Sequence, residues 1–159
     1  MNNNQHFTPL TPTYNDIHNM CYTIAQTLRE MQMEFGIIVG LARGGLIPAI
    51  MLSHMMNLPV IPAHYSSKNG RGDDKNHDNV LPYIPQNKTI LLVDDIVDSG
   101  YTMREIVDLY ERRGNSIYTA TLYYKALAAP PIVPMIRCQT IPHDSGWCIF
   151  PWERPTVIT

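Results

Sequence analysis

The chain has no apolar run approaching the roughly twenty residues that a bilayer-spanning helix needs. Its first six residues, Met1-Asn2-Asn3-Asn4-Gln5-His6, offer no basic start followed by an apolar core. A soluble protein without an export signal, and with no membrane partner, is therefore expected. Charge is also sparse: 16% of the 159 residues are charged, and 12 Lys plus Arg stand against 14 Asp plus Glu, a net charge of −2 spread along the chain. That excludes the electrostatic footprint of a duplex-binding protein, so no nucleic-acid partner is expected. Cysteine is rarer still. Cys21, Cys138 and Cys148 are odd in number and lack CxxC or metal-type spacing, which argues against a disulfide scaffold or zinc site and suits a reducing, cytoplasmic compartment. What remains is 45% hydrophobic residues, enough for one globular domain with its own core.

Residues 1–12 are polar and proline-punctuated and read as a flexible arm ahead of a single domain over 13–159. Ile17, Met20, Cys21, Ile24, Leu28 and Met31 recur at helical spacing behind a cap at Thr13 and Asp16, with Gly36 as the expected stop. Ile37 to Leu41 is a short continuous apolar run, as in a buried parallel strand, and leads through Ala42-Arg43-Gly44-Gly45 into a helical pattern from Leu46 to Asn57. Leu58 to Tyr65 reads as a strand that Pro59 and Pro62 push to a sheet edge. Thr89 to Val93 is a strand ending at Asp94-Asp95, Thr102 to Arg113 a helix with Gly114 beyond it, and Ser116 to Tyr124 a further strand. From Ala126 the sequence is rich in proline and aromatics and sets no clear element. Strands alternating with helices predict an α/β fold, a mostly parallel sheet flanked by helices, with ligands at the carboxyl ends of the strands.

The most informative stretch is Val93-Asp94-Asp95-Ile96-Val97-Asp98-Ser99-Gly100-Tyr101-Thr102. Two carboxylates at about 4 Å repel by roughly 4 kcal/mol at an effective dielectric near 20, so adjacent acids at the end of an apolar strand call for a compensating partner. Magnesium, sugar hydroxyls or both would serve, since hard oxygen ligands suit magnesium and carboxylates accept from hydroxyls. Ser99 to Thr102 then put hydroxyls and backbone N–H groups at a helix start, where phosphate is attracted. The string also fits the DDxxD pattern of terpenoid synthases, but that pattern needs a helix in a large all-helical fold. A second phosphate-type turn is Leu41-Ala42-Arg43-Gly44-Gly45-Leu46, where two glycines permit an anion nest and Arg43 adds a forked charge.

Together these segments resemble the type I phosphoribosyltransferases over roughly residues 37 to 153, and within that family the bacterial xanthine-guanine enzymes. The landmarks are Leu92 to Thr102, Ala42 to Leu46, Lys125, and Trp147-Cys148-Ile149-Phe150-Pro151-Trp152-Glu153. The resemblance implies a purine-salvage transfer: a 6-oxopurine (xanthine, guanine or hypoxanthine) plus phosphoribosyl pyrophosphate gives the nucleoside monophosphate and pyrophosphate. It implies that Asp94 and Asp95 hold the ribose hydroxyls and magnesium, with Glu153 assisting a second magnesium. Ser99, Gly100, Tyr101 and Thr102 would cradle the 5′-phosphate. Arg43, Gly44 and Gly45 would bind the leaving pyrophosphate, with a cis peptide in that loop. Asp98 would be the acid/base partner of the purine, Lys125 would donate to its exocyclic oxygen, Trp147 would stack on it, and the backbone at Cys148 would read its far edge.

The polar stretch Ser66 to Asn79, within a loop over about 66–87, would close as a lid to exclude water, and residues of about 126–159 would form a small hood. A homo-oligomer, dimer or tetramer, is the family's usual state. Two alternatives share the fold: a non-catalytic regulator that senses phosphoribosyl pyrophosphate or a nucleotide, and a phosphoribosyltransferase for a pyrimidine or other base, in which Lys125 and Trp147 would be incidental.

Overall fold

The computed structural model describes residues 9–64 and 85–153. Five strands, β1 (Ile37–Ala42), β2 (Val60–His64), β3 (Thr89–Val97), β4 (Ser116–Ala126) and β5 (Ile136–Pro142), and three helices, α1 (Tyr14–Glu30), α2 (Leu46–Met56) and α3 (Tyr101–Glu111), make up the described fold. The strands form one all-parallel sheet in the order β2-β1-β3-β4-β5. The expected edge position of β2 is thereby met: Pro62, opposite Gly40, sits on a strand with one neighbour, where a missing N–H is tolerated.

Side-chain alternation along β3 splits the core in two. Leu91 and Val93 face α1 and α2, packing with Ile17, Cys21, Ile24, Leu28, Ala49 and Leu52. Ile90 and Leu92 face α3, with Met103, Ile106, Val107 and Tyr110.

Beyond shifts of one or two residues at element ends, four features differ from the sequence-based expectation, each for a local reason. First, α1 ends at Glu30 rather than running to Gly36, because Gln32 takes the left-handed position (φ 54°) that glycine usually fills. Gln32 N–H donates to Arg29 O at 3.0 Å and Met33 N–H to Leu28 O at 3.1 Å, the paired closure of a Schellman turn. At the other end of α1 the expected Thr13 and Asp16 cap is present as a reciprocal capping box. Second, β3 does not stop at the acid pair; it continues to Val97, held by β4 through Asp94↔Thr121, Ile96↔Tyr123 and Val97↔Tyr124. Third, the proline-rich tail yields β5, which lies parallel to β4 from Ala120↔Ile136 to Ala126↔Pro142.

Fourth, the amino-terminal arm is not free along its described part. Leu10 N–H donates to Trp147 O at 3.2 Å and accepts at its own carbonyl from Ile149 N–H at 2.8 Å. The Leu10 side chain packs on the main core, which offsets the ordering cost of the chain there. Most of the expected lid, about 66–87, lies outside the described residues. Only its last residues are seen, where Pro85 O accepts from the buried Asn115 side chain at 2.7 Å.

Candidate active site

In a parallel sheet of this order the chain leaves β1 and β3 in opposite directions, opening a crevice between their carboxyl ends. Both phosphate-type turns lie there. The turn after β1 is pressed onto β3 so closely that it admits only glycine. A Cβ on Gly44 would stand 1.9 Å from Asp95 Oδ2, and one on Gly45 would stand 2.5 Å from Val93 O and 2.9 Å from Asp94 Cα. The Ala42–Arg43 peptide in this turn is cis, as the resemblance implied.

Gly45 and Gly100 are the N-cap residues of α2 and α3, and neither helix start has a side-chain cap. By contrast α1 is capped by side chains in a reciprocal capping box of Thr13 and Asp16. Leu46 N–H at the start of α2 donates to Arg43 O at 3.2 Å, and among the described residues no side chain caps the remaining first N–H groups of α2 or those of α3, at the positively polarised ends of their helices. Gly100 has φ 81°, the left-handed region that favours glycine, and a Cβ there would meet Ile132 at 3.3 Å.

A cleft of about 620 Å³ opens above this point, lined by Arg43, Gly44, Asp95, Asp98, Lys125, Trp147, Cys148 and Glu153 together with Ile96, Phe150 and Trp152. The structure therefore gathers eight of the fourteen residues singled out in the sequence. Gly45, Asp94, Ser99, Gly100, Tyr101 and Thr102 do not line it. Gly45 and Asp94 back the lining residues, and Ser99 to Thr102 stand at the start of α3, with Tyr101 exposed. Phe150 and Trp152 were not assigned to the site from sequence. Their aromatic run beside Trp147 was the available signal, and they stack at 4.8 Å with rings 7° apart.

The acid pair is electrostatically loaded. Burial, and then the charge of Asp95, push the Asp94 carboxyl well above the usual range. Asp95, only 8% exposed, is pushed up to about 6, mainly by burial and further by the charge of Glu153, against the opposing hydrogen bond from Ile96 N–H at 2.8 Å. Among the described residues neither carboxylate has a cationic partner. No group of three Asp, Glu, His or Cys among them gathers closely enough to hold a metal by itself, so the implied set of Asp94, Asp95 and Glu153 is not a preformed three-ligand cage. A buried and a half-buried carboxylate without a cationic partner, at a phosphate-type turn, do fit an ion that brings most of its own oxygen ligands, since magnesium usually takes one or two carboxylates and fills its shell with water and substrate phosphate.

At the other end of the cleft Lys125, near the end of β4 and almost fully buried, places Nζ 3.3 Å from Oδ1 of Asp98, whose side chain is 60% exposed. Trp147 stands at the lip, 68% exposed, and Cys148 is buried beneath it, its thiol pushed up to about 12 by burial and by the charges of Asp95 and Glu153, against Lys125.

A model of the phosphoribosyl transferase domain matches residues 13–154. The chain belongs to the phosphoribosyltransferase family. Among curated relatives, it is 26% identical to the xanthine-guanine phosphoribosyltransferase of Ruegeria sp. over 89% of this chain and 83% of that one. It is 31% identical to the enzyme of the same name from Cereibacter sphaeroides over 73% of this chain and 68% of that one. Among solved structures, the purine phosphoribosyltransferase of Pyrococcus horikoshii superposes with a TM-score of 0.73 at 26% identity, covering 95% of this chain and 98% of that one. In this phosphoribosyltransferase the crevice between β1 and β3 carries both phosphate-type turns, and the cleft there holds Lys125 and Asp98.

Proposed function

We propose that this phosphoribosyltransferase serves purine salvage, joining a 6-oxopurine to phosphoribosyl pyrophosphate to give the nucleoside monophosphate and pyrophosphate. The observation that carries the reading is the Lys125–Asp98 pair: a donor and an acceptor 3.3 Å apart in one cleft. A 6-oxopurine offers the complementary edge, an exocyclic oxygen beside an imidazole nitrogen. An ammonium has three donors, so Lys125 can reach that oxygen while still paired to Asp98. Adenine would instead turn an amino donor towards Lys125. The relatives named for xanthine-guanine and purine transfer support the same class of base.

Departure of pyrophosphate from the anomeric carbon leaves an oxocarbenium-like sugar, so charge must be neutralised where the leaving group develops it. Arg43 and the N–H groups around Gly44 and Gly45 bind the pyrophosphate, while the N–H groups and hydroxyls of Ser99, Gly100, Tyr101 and Thr102 hold the 5′-phosphate. Asp94 and Asp95 would hold the ribose hydroxyls and magnesium, and a bound metal would supply positive charge to offset that of the leaving group. Asp98 takes up the proton of the imidazole nitrogen as the glycosidic bond forms. Trp147 covers one face of the base, and the backbone at Cys148 faces its far edge. The three free cysteines support a reducing, cytoplasmic setting. A homo-oligomer, dimer or tetramer, is supported by α2, which carries no Asp, Glu, Lys or Arg and leaves Ile50 exposed.

The test is pyrophosphate release with magnesium and each of xanthine, guanine, hypoxanthine, adenine, uracil and orotate supplied alone. Turnover with 6-oxopurines is expected. Turnover only with adenine or a pyrimidine would overturn the base assignment, and donor binding without any turnover would put a sensing role in its place.

A further inference from the structure

The segment from Trp147 to Glu153 walls the base end of the cleft yet contains no helix or strand beyond its single bridge to Leu10, so its shape depends on a few identifiable ties. One is a chain of rings. Tyr123 on β4 meets Phe150 edge-on at 5.8 Å, Phe150 stacks on Trp152, and Trp152 meets Tyr14 at the start of α1 at 6.5 Å. The other is a reciprocal pair of hydrogen bonds across the turn that carries these rings: Phe150 N–H donates to Glu153 Oε2 at 3.0 Å, and Glu153 N–H donates to Phe150 O at 3.0 Å. One carboxylate oxygen of Glu153 is therefore already engaged by the backbone, in a turn that lies beyond the Leu10 bridge, whose hydrogen bonds reach only Trp147 and Ile149.

We infer that Glu153 is a positioning residue for the purine rather than a metal ligand: its carboxylate closes the Phe150–Glu153 turn and so fixes the Phe150/Trp152 stack behind Trp147 and Cys148. This rests on the 6-oxopurine reading for the identity of the ligand, but it assigns a residue that the resemblance had given to magnesium. It also accounts for the failure of Asp94, Asp95 and Glu153 to gather as a ligand group. What the turn requires of residue 153 is an acceptor oxygen, not a charge, and the amide of glutamine supplies one. A magnesium ligand would be weakened by loss of the charge, since an amide oxygen binds the cation less strongly than a carboxylate.

The test compares Glu153→Gln and Glu153→Ala in the full chain, by two readouts. The first is steady-state kinetics with guanine: KM for the base, KM for phosphoribosyl pyrophosphate, and the magnesium concentration for half-maximal rate. The second is guanosine monophosphate binding without any metal, followed by quenching of the two tryptophans, Trp147 and Trp152. For Glu153→Ala, the base KM is expected to rise about tenfold, since small misplacements of a positioning wall are costly. Nucleotide affinity should fall in parallel, with the donor KM and the magnesium requirement unchanged. Glu153→Gln should match the wild type throughout. A shifted magnesium requirement in either variant, Glu153→Gln as impaired as Glu153→Ala, or Glu153→Ala indistinguishable from the wild type overturns the inference. An inactive wild type that still binds the nucleotide would instead count against the proposed reaction, leaving the metal-free comparison of the variants to decide the role of Glu153.

Discussion

Replacing Gly44 by alanine tests the packing on which the donor site depends. The added Cβ would lie 1.9 Å from Asp95 Oδ2, 2.4 Å from Cγ and 2.6 Å from Oδ1, all well inside contact distance. Asp95 cannot yield cheaply: it is 8% exposed and its Oδ1 accepts from Ile96 N–H at 2.8 Å. Swinging the carboxylate away forfeits that bond, and moving the loop instead displaces Arg43 and Gly45 from β3. Overpacking of this kind costs about 1–3 kcal/mol. For a chain of this length, that corresponds to a fall in Tm of about 3–10 °C. The KM for phosphoribosyl pyrophosphate should rise about tenfold or more, because either relief disturbs the loop or the carboxylate that would hold the donor. The assay is a thermal melt of the ligand-free protein beside donor-saturation kinetics. Gly36→Ala is the control, since its Cβ would meet nothing closer than Lys88 Cδ at 3.5 Å. A Gly44→Ala protein that melts within about a degree of the wild type and keeps its donor KM would refute the reasoning.

Other outcomes follow from the same geometry. Asp98→Asn should lower kcat by about 10²- to 10⁴-fold, the usual range for general acid–base catalysis, with donor binding retained in a titration; unchanged turnover would remove Asp98 from that role. Lys125→Ala should raise the KM for guanine while the donor KM stays put, and equal losses in both would argue for general collapse of the cleft. Thr13→Ala removes one half of the α1 capping box and should cost about 1 kcal/mol in denaturant unfolding without touching either KM. In the ligand-free protein Asp95, raised to about 6 by burial against an unfolded carboxyl near 4, binds more proton folded than unfolded between those values. Its contribution to stability therefore falls as pH rises from about 4 to 6. Asp95→Asn should flatten that part of a Tm-against-pH curve, and an unchanged slope would contradict the assignment.

The elements legible in the sequence were those whose determinants are local. The apolar run Ile37 to Leu41, the helical stripe of α1 behind Thr13, and the glycine-marked turns after β1 and β3 each carry their signal within about ten residues. The misjudged boundaries depended on partners elsewhere. β3 continues through two acids because β4 pairs with it to Val97, and Leu10 is ordered because Trp147 and Ile149 supply its hydrogen bonds. β5 was hidden because only Ile136 and Ile141 are buried along an otherwise polar edge strand flanked by prolines. In the site, eight of the fourteen residues singled out in the sequence line one cleft, and Glu153 shows what motif reasoning does not reach. The resemblance implied a magnesium role for it, and its bond to Phe150 N–H can be seen only once the turn is folded.

The central claim, transfer to a 6-oxopurine, is tested most directly by competition. The protein, magnesium and phosphoribosyl pyrophosphate are incubated with an equimolar mixture of xanthine, guanine, hypoxanthine, adenine, uracil and orotate, and the nucleoside monophosphates formed are identified by mass. The Lys125–Asp98 pair predicts that the products are the monophosphates of xanthine, guanine or hypoxanthine. Adenosine, uridine or orotidine monophosphate as the dominant product would contradict it.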